Sequence, residues 1–494
     1  MYASRSSMGR GPARFHPSVL RQEPCQCRAH GPLASWLHRR IENDLVVRMA
    51  AGGMAQATQP AAAFRSDSAF MGEPQKSTKP VLFVNLRLFD GLSAQLRDGV
   101  IVRVENNHIT DILPASHTEE GASVVDCGGR VLMPGLIDAH WHSMLCGISQ
   151  LAAMSADPAF IHLLAAREAQ NTLMRGFTSV RDAGGPSFAL KRAIDEGLVH
   201  GPRIYPSGAM VSQTSGHGDF RMSYEVPSRP GTLSHFEEAG VSAIADGCDE
   251  VLRRVREQLM LGASQIKMMA GGGVSSLYDP LHSAQFTEEE LRAGVRAAED
   301  WGTYVMVHVY TPGGIQRALK AGVKSIEHGQ LADEETVRMM ADNGVWWSLQ
   351  PFFGDEDANP HPDPRSHAKQ VQVSEGTERA YALAQRFNVK TAWGTDILFS
   401  PQLIERHSHM LSKLTRLYAP LDLLRIATGQ NGELLGMSGL RNPYDSPVGQ
   451  IAAGALADLL VVDGDPSKDL DFLNAPDSNL RLIMKDGKVF KNAL

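Results

Sequence analysis

From Phe177 to Asp396 short β-rich runs alternate with amphipathic helical ones, and this alternation leaves the chain few possible folds. FTSVRDAGG reads as a strand and SFALKRAIDEGLV as a helix. SQIKMMAGGG is a strand, then TEEELRAGVRAAEDWG a helix, opened by Thr287 with Glu290 three residues on as a capping box. YVMVHVY, SIEHG, WWSLQP and VKTAWGTD are further strands, separated by helical GGIQRALKAG, DEETVRMMADNG and TERAYALAQRFN. Repeated strand–helix units specify a parallel sheet covered by helices, an α/β fold. With the segments on either side, residues 134–437, the span of about 300 residues fits one (β/α)8 TIM barrel with insertions. A doubly wound open sheet is the alternative, but no G-x-G-x-x-G opens the first unit.

The flanks read differently. KPVLFVNLRLFDG, GVIVRVENNHITDILP and ASVVDCGGRVLMPG are short β runs, with a hairpin turn at Asn106-Asn107. GALADLLVVDGDP and LRLIMKDGKVFKN match them at the far end, the latter folding back at Asp486-Gly487. The expected organisation is a barrel over residues 134–437 and one small composite β domain, built from 79–133 and 438–494. Residues 1–78 keep no strand or helix period and are expected to be a disordered or targeting-like extension, or an extended gene start, since Met49, Met54 and Met71 precede the ordered body.

Five cysteines, among them Cys25 and Cys27, are too few and too scattered for a disulfide framework. They suggest a reduced, cytoplasmic setting, with organelle targeting left open. A net charge of -7 gives no basic footprint for nucleic acid. Charged residues interrupt every apolar run before it reaches membrane-spanning length, so no membrane partner is expected.

In a parallel barrel the C-terminal strand ends share one mouth, where active sites lie. His140 and His142 in PGLIDAHWH are two residues apart on a strand and project from the same face. Alone, such a pair serves equally well as strand-end hydrogen-bonding groups. Lys267 in QIKMM, His308 in VMVH, His328 in SIEH and Asp396 in GTD reach the same mouth from later strands. Six convergent residues of these types point to a metal, with zinc, iron, nickel and manganese all compatible. A lysine between apolar neighbours either snorkels to solvent or stays neutral through desolvation. As a neutral amine it can take up carbon dioxide as a carbamate able to bridge two cations.

PGLIDAHWH, QIKMMAGGG, VMVHVYTPGGI, SIEHG and GTD together resemble the amidohydrolase superfamily over residues 80–494, and ADLLVVDGDP is similar to its C-terminal β segment. QIKMMAGGGV and HVYTP look most like its branch of Xaa-Pro dipeptidases, carboxypeptidase-like enzymes and ochratoxin-hydrolysing amidases. That resemblance implies two divalent cations, expected to be zinc. His140, His142 and Asp396 would hold the more buried one, His308 and His328 the second, and carbamylated Lys267 would bridge them. It also implies a metal-bridging hydroxide that cleaves the amide of a dipeptide (Xaa-Pro or apolar C-terminal residue) or N-acyl amino acid. Asp396 would act as general base and acid. The partner implied is a small-molecule substrate, and the assembly a homo-oligomer.

His217 in SGHGD and Tyr310 in HVYTP are candidate substrate contacts, donors suited to a carboxylate or oxyanion; their alternatives are a turn histidine and a core tyrosine. Arg181 and Asp182 are expected to pair near the mouth, Glu327 to pack or support a ligand, and Trp141 and Met144 to offer an apolar surface there. One departure stands out: relatives commonly carry Asn-Ala where this chain has Gln430-Asn431-Gly432-Glu433.

Two other functions compete. A mononuclear deaminase or imidazolonepropionase-like cyclic amide hydrolase of the same superfamily is one. A deaminase would want a glutamate where Thr311 stands, and it would leave Lys267 without a role. A non-catalytic scaffold is the other, though such a barrel would be expected to lose ligands that this sequence keeps. Loops 212–245 and 352–375 carry no readable substrate code.

Overall fold

The computed structural model describes residues 75–228, 231–276 and 278–494. The reading of the N-terminal extension, with Cys25 and Cys27, lies outside these residues except at its end, where Gln75–Lys76 already form a short strand. The fold is α/β with parallel sheets. One sheet joins Arg203–Tyr205, Phe177–Asp182 and Leu136–Trp141 in that order. A second runs Ser242–Ile244, Met210–Ser212, Ile266–Met269, Val305–Val309, Ser325–His328, Trp346–Leu349 and Thr391–Trp393. All pairings in both sheets are parallel.

These strands are buried on both faces because helices cover them outside and side chains fill the space within. Ile266–Met269, Val305–Val309, Ser325–His328 and Trp346–Leu349 are buried throughout. The helices start where the sequence places caps. Thr287 and Glu290 form the reciprocal capping box of Glu288–Glu299, and Asp157 accepts from the Ala159 N–H ahead of Pro158–Met174.

The first and last parallel strands meet. The Asp396 N–H donates to the His140 carbonyl at 2.9 Å. Asn431 holds both strands, donating to the Ile137 and Trp393 carbonyls at 2.8 Å each and accepting from the Trp393 N–H. Gly394 makes this approach possible, since a Cβ there would lie 2.3 Å from the His140 nitrogen. Asn431 opens its helix after a π turn over Ile426–Gln430. A side chain at Gly432 would not fit here, because the Val448 carbonyl oxygen lies 2.3 Å from where its Cβ would stand.

Both regions flanking the parallel strands are β. A seven-stranded sheet runs in the order Gln75–Lys76, Lys488–Asn492, Leu480–Lys485, Leu459–Val462, Val131–Pro134, Arg87–Phe89, Leu96–Arg97. Four strands from His108–Pro114 to Ser123–Asp126 form another sheet. Both foreseen hairpins are present: Glu105 pairs with His108, and Lys485 with Lys488. No described helix is long and apolar enough to cross a membrane.

Candidate metal centre

His140 and His142 end the Leu136–Trp141 strand and its following turn, with their Nε2 atoms 3.3 Å and 3.1 Å from Asp396 Oδ1. Together these three side chains form a compact set of metal-type donors. Lys267 Nζ lies 3.4 Å from His140 Nε2 and is 1 % exposed. The His328 ring is 4.8 Å from that of His140, centroid to centroid, and 4.5 Å from that of His308. All six ligand candidates therefore gather at the C-terminal ends of the parallel strands. They border a common cavity of about 190 Å³ with His217 and Tyr310.

Each imidazole has one nitrogen already committed to an acceptor. His140 Nδ1 donates to Glu327 Oε2 at 2.7 Å, His142 Nδ1 to the Gly184 carbonyl at 3.1 Å, and His328 Nδ1 to Gln350 Oε1 at 2.8 Å. On His308 the committed atom is Nε2, which donates to the Gly272 carbonyl at 3.2 Å. These acceptors fix the tautomers and leave the opposite nitrogen of each ring as a lone-pair donor, as a metal ligand requires. Two of the positions are strained: His328 and Asp396 have φ of 72° and 53°, the left-handed region that non-glycine residues seldom adopt. His328 is the last paired residue of its strand, and Asp396 lies three residues past Trp393, the last paired residue of its own.

Burial shapes the charge of the site. It pushes the Lys267 amine down to about 8, Glu327 and Asp396 nearby opposing the shift in part. It also holds His308 and His328 well below the usual imidazole range. Burial alone would raise the Asp396 carboxyl, but His140, His142 and His328 hold it far below the carboxylate range. The donor set, four imidazoles around an ionised carboxylate, fits a divalent cation.

Below the centre the expected Arg181–Asp182 pair is absent. Arg181 instead donates to both oxygens of Glu327, at 2.8 Å and 2.7 Å, while Asp182 accepts from the Ser143 and Gly184 N–H groups. Burial alone would raise the Glu327 carboxyl, but Arg181 and His140 outweigh it and keep the group ionised. Trp141 and Met144 do not border the cavity. Trp141 stacks on His407, centroids 4.2 Å apart, and Met144 packs beside Gly185.

Sequence reasoning missed Asp138 and His407. Asp138 accepts from the His140 N–H, the Thr395 N–H and hydroxyl, and His407 Nε2, binding the two ligand-bearing strand ends to one carboxylate. An aspartate inside the apolar run PGLID was the available signal. His407, sandwiched between Trp141 and Phe177, offered none.

His217 stacks on His308 at 4.0 Å, and its Nδ1 lies 2.6 Å from Ser276 Oγ. Tyr310 stacks on His328 at 5.2 Å.

Residues 131–490 match the amidohydrolase family. The ochratoxinase of Aspergillus niger is 34% identical over 382 residues, which are 73% of this chain and 76% of that protein. A crystal structure of a prolidase complexed with N-methylphosphonate-L-proline superposes with a TM-score of 0.75 at 31% identity, covering 84% of this chain and 100% of that one. A Xaa-Pro dipeptidase with methionine bound in its active site gives 0.72 at 28% identity over the same shares. These relatives belong to the branch that QIKMMAGGGV and HVYTP pointed to.

Proposed function

The chain belongs to the amidohydrolase family and is a hydrolase of amide carbon–nitrogen bonds; on that footing we propose that it is a binuclear metal-dependent enzyme releasing the C-terminal residue of a dipeptide or N-acyl amino acid. The observation that carries this reading is the gathering of four histidines, a lysine and an aspartate around one buried point, each histidine with its second nitrogen committed elsewhere. The strand order, with Thr391–Trp393 held against Leu136–Trp141, supports a closed (β/α)8 barrel as the frame. The β sheets at both ends support a composite second domain.

His140, His142 and Asp396 would hold one cation and His308 and His328 the other, with zinc the expected metal. Lys267 would link them as a carbamate: its neutral amine forms a bond to the carbon of carbon dioxide and loses a proton. Bound cations supply Lewis acidity and lower the pKa of water. Asp396, ionised and at the cavity wall, takes the proton from the attacking water and delivers it to the amide nitrogen as the carbon–nitrogen bond breaks. His217 and Tyr310 would orient the substrate, their donors suiting the carboxylate of the departing amino acid or the oxygen that gains charge.

The test is metal analysis with a screen of Xaa-Pro dipeptides and N-acyl amino acids on zinc-loaded protein. Near two equivalents of metal per chain and release of free amino acid are expected. Lys267→Ala should lower metal occupancy, abolish turnover, and remove the carbamate signal that the wild type gives with 13C-labelled bicarbonate. Unchanged occupancy would remove the bridge from the mechanism.

A further inference from the structure

Beyond the histidines the cavity continues between the loop after Trp346–Leu349 and the helix Pro364–Arg386. Phe352, Phe353, Val373, Leu398, Leu403 and Met410 make this end apolar. Several polar groups among them are engaged with one another. Gln370 accepts from the His361 N–H at 2.9 Å and donates to the Ala358 and Asn359 carbonyls. Asn359 donates to Ser400 Oγ at 2.8 Å, and Ser400 to the Leu398 carbonyl at 3.0 Å.

Charge is equally accounted for. Among the described residues bordering the cavity, Asp357 is the one carboxylate besides Asp396. Its side chain is 3 % exposed and takes Lys413 Nζ at 2.8 Å and Arg406 Nη2 at 3.0 Å, so its charge is neutralised in place. An ammonium entering here would be desolvated without a counter-ion. His361 completes the pattern. Its Nδ1 accepts from the Asp363 N–H at 3.2 Å, so in the neutral ring the proton resides on Nε2, a donor on a residue of the cavity wall.

We propose that this end of the cavity admits an uncharged acyl group, with His361 donating from Nε2 to one of its oxygens, and excludes a free α-ammonium. The preferred substrates are then N-acyl amino acids and N-capped dipeptides rather than dipeptides with a free amine. This rests on the amide-hydrolase reading and narrows its substrate class.

The experiment compares kcat/KM of zinc-loaded enzyme on matched pairs, each a dipeptide and its N-acetyl derivative, across several C-terminal residues. At pH 7 the capped member should be favoured by about 10-fold, the cost of entering as the neutral form of an α-amine whose pKa is about 8; equal rates, or preference for the free amine, overturn the proposal. His361→Phe should raise KM for capped substrates about fivefold, the worth of one neutral hydrogen bond, with kcat little changed; an unaltered KM removes His361 from recognition. Ser374→Asp places a carboxylate on the same wall and should shift preference toward the free amine; an unmoved ratio counts against charge as the discriminator. If neither member of any pair is cleaved, the amide-hydrolase reading fails. Calorimetric binding of the same pairs then decides separately: tighter binding of the capped member supports the proposal, and equal or reversed affinity overturns it.

Discussion

The residues that prepare the centre are mostly not its ligands. Glu327 orients His140, and Arg181 keeps Glu327 charged, so a candidate ligand is set by a carboxylate and a guanidinium from two other strands. Glu327→Gln should weaken metal binding about 10- to 100-fold, as losses of such supporting partners do; titration against a chelator of known affinity measures it, and an unchanged constant refutes the role. The gathering of the candidate ligands was legible because strand periodicity aligns His140 with His142 and because residues at strand ends share a mouth. The Arg181–Glu327 pair was not, since its members lie 146 positions apart and pairing depends on which strands face each other inside.

Lys485 gives a residue-scale prediction away from the site. Burial, reinforced by Arg203, pushes its amine down to about 8 from an ordinary 10.5. Between those values the unfolded chain binds more protons than the folded one, so this group's effect on stability improves as pH rises through that window. Lys485→Met should therefore stabilise the protein at pH 7, by about 3 kcal/mol from the size of the shift, with the gain vanishing near pH 10.5. Urea denaturation of both proteins at several pH values measures it; a constant difference sinks it.

At the scale of elements, the strand Phe177–Asp182, its following helix and the series from Ile266–Met269 to Thr391–Trp393 follow the sequence, since periodicity, caps and apolar runs agree. The strands Arg203–Tyr205, Met210–Ser212 and Ser242–Ile244 and the helix Cys248–Leu261 escaped that reading, the strands being only three residues long, and the helix Pro364–Arg386 begins inside 352–375, expected to be a loop. What the pattern could not supply is how the two ends of the series join. Gly394, Asn431 and Asp138 make that junction through a missing side chain, a clamp on two carbonyls and a shared carboxylate. Gly394→Ala forces the Thr391–Trp393 and Leu136–Trp141 strands apart. A cost of about 2–3 kcal/mol is expected for such overpacking, together with reduced metal content, because His140 and Asp396 flank the contact. A melting temperature and zinc content equal to wild type would show that the junction yields without consequence. The loop carrying Asp357 and His361 was unreadable for another reason: its shape depends on ion pairs to Lys413 and Arg406, from a distant part of the chain.

For the whole molecule, the decisive pairing is between the flanks. Leu459–Val462 lies between Val131–Pro134 and Leu480–Lys485, so the centre of the seven-stranded sheet is drawn from both sides of the parallel strands. Leu480, Leu482, Ile483 and Met484 are all but fully buried. At about 1.5–3 kcal/mol for each such side chain, their sum rivals the roughly 5–15 kcal/mol by which folded domains are stable. Deleting residues 480–494 should therefore prevent soluble folding although no ligand candidate is removed; a truncated protein with wild-type circular dichroism and zinc content would contradict this.

The same arrangement bears on biosynthesis. While residues 135–458 leave the ribosome, Val131–Pro134 waits beside Arg87–Phe89 with one edge unsatisfied, able to bind any passing strand. Soluble yield is therefore expected to rise with added chaperone during that interval.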